Sequence, residues 1–207
     1  MRWWTSDLHV GHTNIIDFAG RPFYTPIIQH FALGDAEVEV PDVDAMNRAL
    51  IDNWNDVVDQ EDEVWVVGDL AMGSVNTTVP MTKRLKGRKF LVPGNHDRVH
   101  RMYPKWRRFV ALYEDAGFTI LDSQVTTDVD GSEVLVCHFP YTGDSKFDDR
   151  YSGLRPDDEG GWLIHGHTHS DEKARGRQIH VGVDAWDMRP ASEDEVAEII
   201  RRHPDGP

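Results

Sequence analysis

The sequence predicts an α/β sandwich: two mixed β-sheets packed face to face and flanked by helices. Three features of the 207 residues predict it. Short β-branched or aromatic runs alternate with helical periodicities through the first half of the chain. Strand-like runs then follow one another closely from Phe118 to Val183. A helix with its own start signal closes the chain.

The elements follow in order. Arg2 to Ser6 (RWWTS), Glu63 to Val67 (EVWVV) and Arg88 to Val92 (RKFLV) are rich in aromatic or branched side chains and end at turn residues, the pattern of buried strands. Between the first two, Met46, Leu50, Trp54, Val57 and Val58 recur on one helical face, which predicts a helix from Val43 to Val58. A weaker helical pattern runs from Val75 to Lys86. Another spans Pro104 to Ala116, with Gly117 as its stop. Strands alternating with helices pack in parallel, with the helices on the sheet faces. Phe118 to Leu121, Gln124 to Val129, Glu133 to Cys137, Gly161 to Ile164 and Gln178 to Val183 read as further strands, and Asp130-Gly131 is a hairpin-turn signal. Ser192 and Glu195 form a capping box for a final helix reaching Arg202. The chain therefore reads as one domain over residues 1–202 with a short tail, 203–207. Two segments, Gly20 to Pro41 and Phe139 to Gly160, show no strand or helix period. Long unpatterned segments in a compact domain are commonly functional, and these two are expected to rim an active site.

Composition narrows the class. Lys and Arg number 22 against 36 Asp and Glu, a formal charge of −14. A duplex-DNA binder needs the opposite balance to displace counterions. Carboxylates in excess can also serve divalent cations, whose charge locally reverses the sign. No apolar run reaches the roughly 18 residues of a membrane span. The first residues read as a strand and then a motif, not as an export leader. The single cysteine, Cys137, allows no internal disulfide, which suits a reducing cytoplasm.

The chemistry lies where strands end. Asp7 and His9 follow the first strand, Asp69 the second, Asn95, His96 and Asp97 the third, His138 the Glu133–Cys137 run, and His167 and His169 the Gly161–Ile164 run. In a parallel sheet such ends converge on one edge, where open α/β folds bind ligands. Carboxylates, an amide oxygen and imidazoles without a thiolate suit Mn²⁺, Fe or Zn²⁺ in a reactive centre rather than a structural thiolate site.

The ordered series Asp7-x-His9, Gly68-Asp69, Gly94-Asn95-His96-Asp97, His138 and Gly166-His167-x-His169 resembles the calcineurin-like metallophosphoesterases. Asp7 to Asn14 (DLHVGHTN), Arg21-Pro22-Phe23 and Val181 to Trp186 (VGVDAW) resemble a small phage and bacterial branch of them. The resemblance implies the metallophosphatase-like α/β/β/α fold and two divalent ions, with Mn²⁺ first and Fe, Zn²⁺ or Ni²⁺ also fitting. It implies one ion on Asp7, His9, Asp69 and His169 and the other on Asp69, Asn95, His138 and His167, with Asp69 bridging. His96 resembles the non-ligand histidine that stabilises charge or protonates the leaving oxygen, and Asp97 either orients His96 or holds the loop. His12 either faces the metals or caps the next helix. Arg21 is a candidate phosphate clamp or else a surface arginine. Tyr141 and Trp186 are candidates to stack on a base or to fill the core. Arg98, Arg101, Lys105, Arg107 and Arg108 form a cationic run that either draws anions or lines a solvated face.

The expected function is a phosphoesterase in which hydroxide held by two metals attacks phosphorus. Because no cap domain is inserted between the motifs, the expected substrates are small phosphodiesters such as cyclic nucleotides, including 2',3'-cyclic ones. A phosphomonoesterase and a nuclease for single-stranded ends are the alternatives of the same chemistry. A non-catalytic scaffold is the alternative of another class, and the intact donor set argues against it. The expected partner is a small phosphoester, a nucleotide among the candidates, with neither duplex DNA nor membrane; oligomeric state is left open.

Overall fold

In the first three strands, neighbouring residues divide between two cores, because successive side chains of a strand point to opposite faces. Trp3, Val66 and Leu91 join one apolar cluster, while Trp4, Val67 and Val92 join another. This division makes a two-sided sheet with a layer on each side. It is seen in a computed structural model that describes residues 1–32, 34–144 and 150–203.

In chain order the elements are β1 (Arg2–Thr5), α1 (Ile15–Phe18), β2 (Tyr24–Phe31), β3 (Gly34–Pro41), α2 (Val43–Val57), β4 (Glu63–Val66), α3 (Val75–Met81), β5 (Arg88–Leu91) and α4 (Val110–Asp115). There follow β6 (Phe118–Ile120), β7 (Gln124–Val129), β8 (Ser132–Cys137), β9 (Trp162–His165), β10 (Ala174–Arg175), β11 (Gln178–His180), β12 (Ala191–Ser192) and α5 (Glu193–Arg202). The first sheet has the order β12-β1-β4-β5-β6, and the second β10-β11-β9-β8-β7. In the first, β1, β4, β5 and β6 run parallel and β12 antiparallel. In the second, β11, β9 and β8 are parallel, with β7 and β10 antiparallel at the edges. The molecule is thus the mixed α/β sandwich expected of the metallophosphatase fold. Phe118–Ile120, grouped in sequence with the second half, completes the first sheet beside β5.

Helix α2 shows why its residues form a helix. Asp42 caps it by accepting from the Ala45 amide at 2.8 Å, and Met46, Leu50, Ile51 and Trp54 form its buried stripe. Burying a side chain of the size of Leu50 contributes about 1.5–3 kcal/mol, so this stripe fixes the helix against the sheet. Two expected helices are shorter than their patterns. The Val75–Lys86 pattern is α3 followed by a 3₁₀ turn, Thr82–Arg84. Pro80 lacks the N–H for an i to i−4 bond, and the helix tightens after it. The Pro104–Ala116 pattern is a 3₁₀ turn, Trp106–Phe109, leading into α4.

The segment Gly20 to Pro41, expected as an unpatterned loop, is mostly a two-stranded antiparallel ribbon of β2 and β3. The alternation Glu37-Val38-Glu39-Val40 carried its signal, masked by the mixed composition of its partner strand. Part of the other expected loop, residues 145–149, and residues 204–207 of the expected tail lie outside the described residues. No helix among the described residues is long and apolar enough to cross a membrane.

The expected capping box of α5 is present. Ser192 Oγ accepts from the Glu195 amide at 3.2 Å, and Glu195 accepts from the Ser192 amide at 2.8 Å. Hydrogen bonds from Arg189 are the chief reason that the Glu195 carboxyl is held down at about 2. A carboxyl depressed in the fold adds stability that is present above its unfolded value near 4.5 and is lost as pH falls towards about 2. Glu195→Gln keeps an acceptor for the cap but loses the charge paired with Arg189, and is therefore expected to cost at most about 1 kcal/mol at pH 7. Urea unfolding at pH 7 and pH 3 should show the difference from wild type shrinking at the lower pH.

Candidate metal centre

Five loops converge on one edge of the sandwich because the strands before them are parallel neighbours in the two sheets. The loop after β1 zips to the loop after β4. Asp7, His9 and Val10 amides donate to the carbonyls of Gly68, Asp69 and Leu70 at 3.0, 3.0 and 3.1 Å. The second sheet is pinned to the first where the His167 amide donates to Asp7 Oδ2 at 2.9 Å, across 160 residues of chain. A Cβ on Gly94 would overlap Asp69 Oδ1, and one on Gly166 would overlap Asp7 Oδ2, so both positions need glycine for the loops to close.

Backbone strain collects here. Nine non-glycine residues among those described have positive φ, and five of them are Asp7, His9, Asp69, His167 and His169. Each costs on the order of 1 kcal/mol, a cost tolerated where the surroundings over-determine a functional geometry.

The donors face one another. Ligand atoms of Asp7, His9 and His169 lie within 4.8 Å of one another, and so do those of Asp7, Asp69 and His138. Asp69 Oδ2 is 3.6 Å from His9 Nε2, 3.5 Å from His138 Nε2 and 3.9 Å from His96 Nε2. Asp7 Oδ1 is 3.8 Å from His9 Nε2 and 3.7 Å from His169 Nε2. Asp7 thus belongs to both groups, and Asp69 touches an imidazole of each. Asp7 Oδ1 and both ring nitrogens of His9 are buried without a hydrogen-bond partner. Buried polar atoms normally have partners, so orphans converging on one point fit a site for cations. Carboxylate and imidazole donors are the chemistry such ions accept.

The remaining donors divide. His138 Nδ1 bonds the Val67 carbonyl at 2.9 Å, which turns Nε2 inward to within 3.1 Å of Asn95 Oδ1. His167 packs its ring 5.2 Å from that of His138, while its Nε2 lies 3.3 Å from Asp144 Oδ2. Sequence reasoning did not foresee Asp144. His96 is the most open member, its side chain 38% exposed, and its ring lies 5.4 Å from that of His9. His12 also stacks 5.4 Å from His9 and stands at the rim of the cleft.

Electrostatics reflect this crowding. Burial, followed by the nearby charges of Asp7 and Asp97, pushes the Asp69 carboxyl well above the usual range. Burial pushes His9 down to about 3 and His96 to about 4, so both rings are neutral at neutral pH.

Arg21 fits neither of its two readings, while Tyr141 and Trp186 take the packing role that was one of theirs. Arg21, a candidate phosphate clamp, is only 2% exposed and its guanidinium is fully engaged. It donates to Asp184 Oδ1 at 2.8 Å and to the Asp7 and Leu8 carbonyls at 2.7 and 3.0 Å, so it braces the first loop from within. Tyr141 turns its hydroxyl to the Gly161 carbonyl at 3.3 Å and packs on the cluster of Cys137, Phe139 and Leu163. Trp186 is core, its indole N–H donating to the His180 carbonyl at 2.7 Å. Of the two readings of Asp97, the structure shows the loop-holding one. Its carboxylate accepts from the amides of Gly94, Asp69 and Leu70 at 2.8, 2.8 and 3.1 Å.

Asp184 was missed as a working residue. Its Oδ2 lies 2.7 Å from His169 Nδ1, which fixes that ring with Nε2 towards Asp7. The signal was there in the Val181–Trp186 motif, but only the fold shows which histidine it serves. Where a carboxylate orients a ligating imidazole, its loss lowers metal affinity about 10–100-fold. Asp184→Asn is expected to weaken cation binding within that range, read by isothermal titration. Unchanged affinity would leave His169 outside the ligand set.

Comparison with known proteins agrees with this geometry. A family model described as the calcineurin-like phosphoesterase superfamily domain matches residues 31–183. The gene 66 protein of Mycobacterium phage D29 is 36% identical over 214 residues, covering 96% of this chain and 94% of that protein. The gene 66 protein of Mycobacterium phage L5 is 34% identical over 215 residues, covering 96% and 93%. Among solved structures, a protein of unknown function from Aquifex aeolicus superposes with a TM-score of 0.65 at 23% identity, covering 97% of this chain and 99% of that one. That last likeness is one of fold.

Proposed function

This chain belongs to the calcineurin-like phosphoesterase superfamily, and on that premise we propose that it is a dinuclear phosphodiesterase for small substrates such as cyclic nucleotides, 2',3'-cyclic ones included. The observation that carries the dinuclear reading is Asp69 Oδ2, between His9 Nε2 at 3.6 Å and His138 Nε2 at 3.5 Å. On one side Asp7, His9 and His169 would hold a cation; on the other, His138 and Asn95 would hold a second, with His167 beside them. Asp69 would serve both. Manganese is the first choice for oxygen and imidazole donors, with iron, zinc and nickel as competitors. Two such ions, when bound, would acidify a shared water and neutralise charge on the phosphate oxygens.

The chain's own groups set up the reaction. Asp184 and the Val67 carbonyl hold the Nδ1 atoms of His169 and His138, leaving the Nε2 lone pairs directed inward. Asp97 fixes the loops that carry Asp69 and Asn95 through three backbone amides. His96, at the open side, presents a ring for the ester. As the phosphoester's charge arrives beside it, its proton affinity rises, and the ring can hydrogen-bond a phosphate oxygen and deliver a proton to the leaving one. Short connections between the loops support a diester reading, since they leave room at His96 for a second substituent on phosphorus.

The test is turnover of bis(p-nitrophenyl) phosphate against p-nitrophenyl phosphate, followed by a panel of cyclic nucleotides, with Mn²⁺, Fe²⁺, Zn²⁺ and Ni²⁺ in turn. Faster turnover of the diester is expected. A monoester preference would overturn the diesterase reading and leave a phosphomonoesterase.

A further inference from the structure

The β2–β3 ribbon and the cationic run from Arg98 to Arg108 stand outside the metal centre, and each lacks a counterpart. Two-stranded ribbons are marginal by themselves in water. This one also concentrates exposed apolar surface. Tyr24, Ile27, Ile28 and Phe31 are four of the seven large hydrophobic side chains left exposed among the described residues.

The register sorts its two faces. Ile28 pairs with Glu37, Pro26 with Glu39 and His30 with Asp35, so three carboxylates and Ile28 share one face. Ile27 pairs with Val38 and Thr25 with Val40 on the other face, where Val38 and Val40 are half-buried. Both faces keep exposed apolar side chains, Tyr24 and Ile28 on the acidic one and Ile27 and Phe31 on the other, and the carboxylates single out the acidic face for a charged partner. Its Asp35 meets His30 at 2.7 Å, while Glu37 and Glu39 have no cationic partner among the described residues. Ile28, 57% exposed, lies between them.

A partner for that face must bring positive charge and an apolar spot. On a chain of charge −14, the segment from 98 to 108 supplies both. Arg98, Arg101, Lys105, Arg107 and Arg108 are all exposed, and only Arg101 has a carboxylate partner, Asp122, among the described residues. Met102, 38% exposed, sits among them. No ion pair joins ribbon and cationic segment within one copy, among the described residues. Eight residues of strand extend about 26 Å, long enough to reach a neighbouring molecule.

We propose that the acidic face of the ribbon docks on the 98–108 segment of a second copy of this chain, reciprocally, in a two-fold dimer. Like every isologous contact, it uses the same pair of surfaces twice. Complementary charge fixes the register of such a contact and makes it sensitive to salt. The ribbon springs from the loop that Arg21 ties to Asp7, Leu8 and Asp184, so the dimer would brace the first loop of the metal centre. The proposal does not depend on the substrate or on the metals.

Sedimentation velocity on the full chain tests it. Wild type is expected to dimerise, and to dissociate in strong salt. Charge reversal of the ribbon (Glu37→Lys with Glu39→Lys), or of the segment (Arg107→Glu with Arg108→Glu), should each weaken self-association at least about tenfold. Circular dichroism would verify that both variants fold. Mixing the two variants should restore a dimer, because both contacts are then complementary again. A monomeric wild type, a dimer indifferent to either reversal, or a mixture that stays monomeric would each overturn the proposal. Restoration by mixing is an outcome that a general loss of stability cannot mimic.

Discussion

Asp69→Asn is expected to lower bound divalent metal from two equivalents to fewer than one and to reduce turnover more than about 10³-fold, since losing even one transition-state donor costs about 10²–10³-fold. The asparagine change is chosen with the fold in mind. Asp69 Oδ1 accepts the His96 amide at 2.8 Å, and an amide oxygen can keep that bond while the charge between His9 and His138 is removed. Asp69→Ala would remove both and should be at least as damaging. Elemental analysis of purified protein gives the metal content, and hydrolysis of the aryl diester gives the rate. A variant that kept two metals and near-normal turnover would sink the bridging assignment. Asp7 would then be the better candidate, since it belongs to both groups of donors.

His96→Ala is expected to keep both metals and lose about 10²–10⁴-fold in rate, the usual range for a general acid. Its ring is the exposed one, it makes no described side-chain hydrogen bond, and its Nε2 is 3.9 Å from Asp69 Oδ2, the longest of the three imidazole approaches there. Its backbone amide does the local structural work, so truncating the ring should leave the loop in place. The loss should be greatest for esters with poor leaving groups and least for p-nitrophenyl esters, whose leaving oxygen needs little protonation. If metal content fell along with rate, His96 would be a ligand. If rate fell equally for all leaving groups, its part would be charge stabilisation alone.

Much of this was legible in the sequence, and the reasons differ from residue to residue. Trp3 and Trp4, Val66 and Val67, and Leu91 and Val92 declare strands because residues that must face opposite cores are both apolar. Asp7, Asp69, Asn95, His138 and His169 could be marked because a polar residue directly after a buried strand must lie at the sheet edge. The ribbon was legible only in the short alternation from Glu37 to Val40. Its strands face water along most of their length, so little buried period marks them.

The polar side chains inside the centre show the limit most clearly. Arg21 could have been a phosphate clamp until the fold brought it to Asp184, 163 residues away, at 2.8 Å. Asp97 adjoins His96 in sequence yet is used up by the amides of Gly94, Asp69 and Leu70. His167 sits in its motif, but Asp144 lies at its Nε2.

By itself, the sequence determined the buried strands that carry the centre, the principal helices and the set of donors placed after those strands, because these depend on short-range periodicity and on the residue types that follow buried strands. Only the tertiary structure decided which donors face one another, which carboxylates position them and which charges are consumed as braces. A buried polar group takes whichever partner the packing of distant segments delivers, and no local pattern encodes that choice.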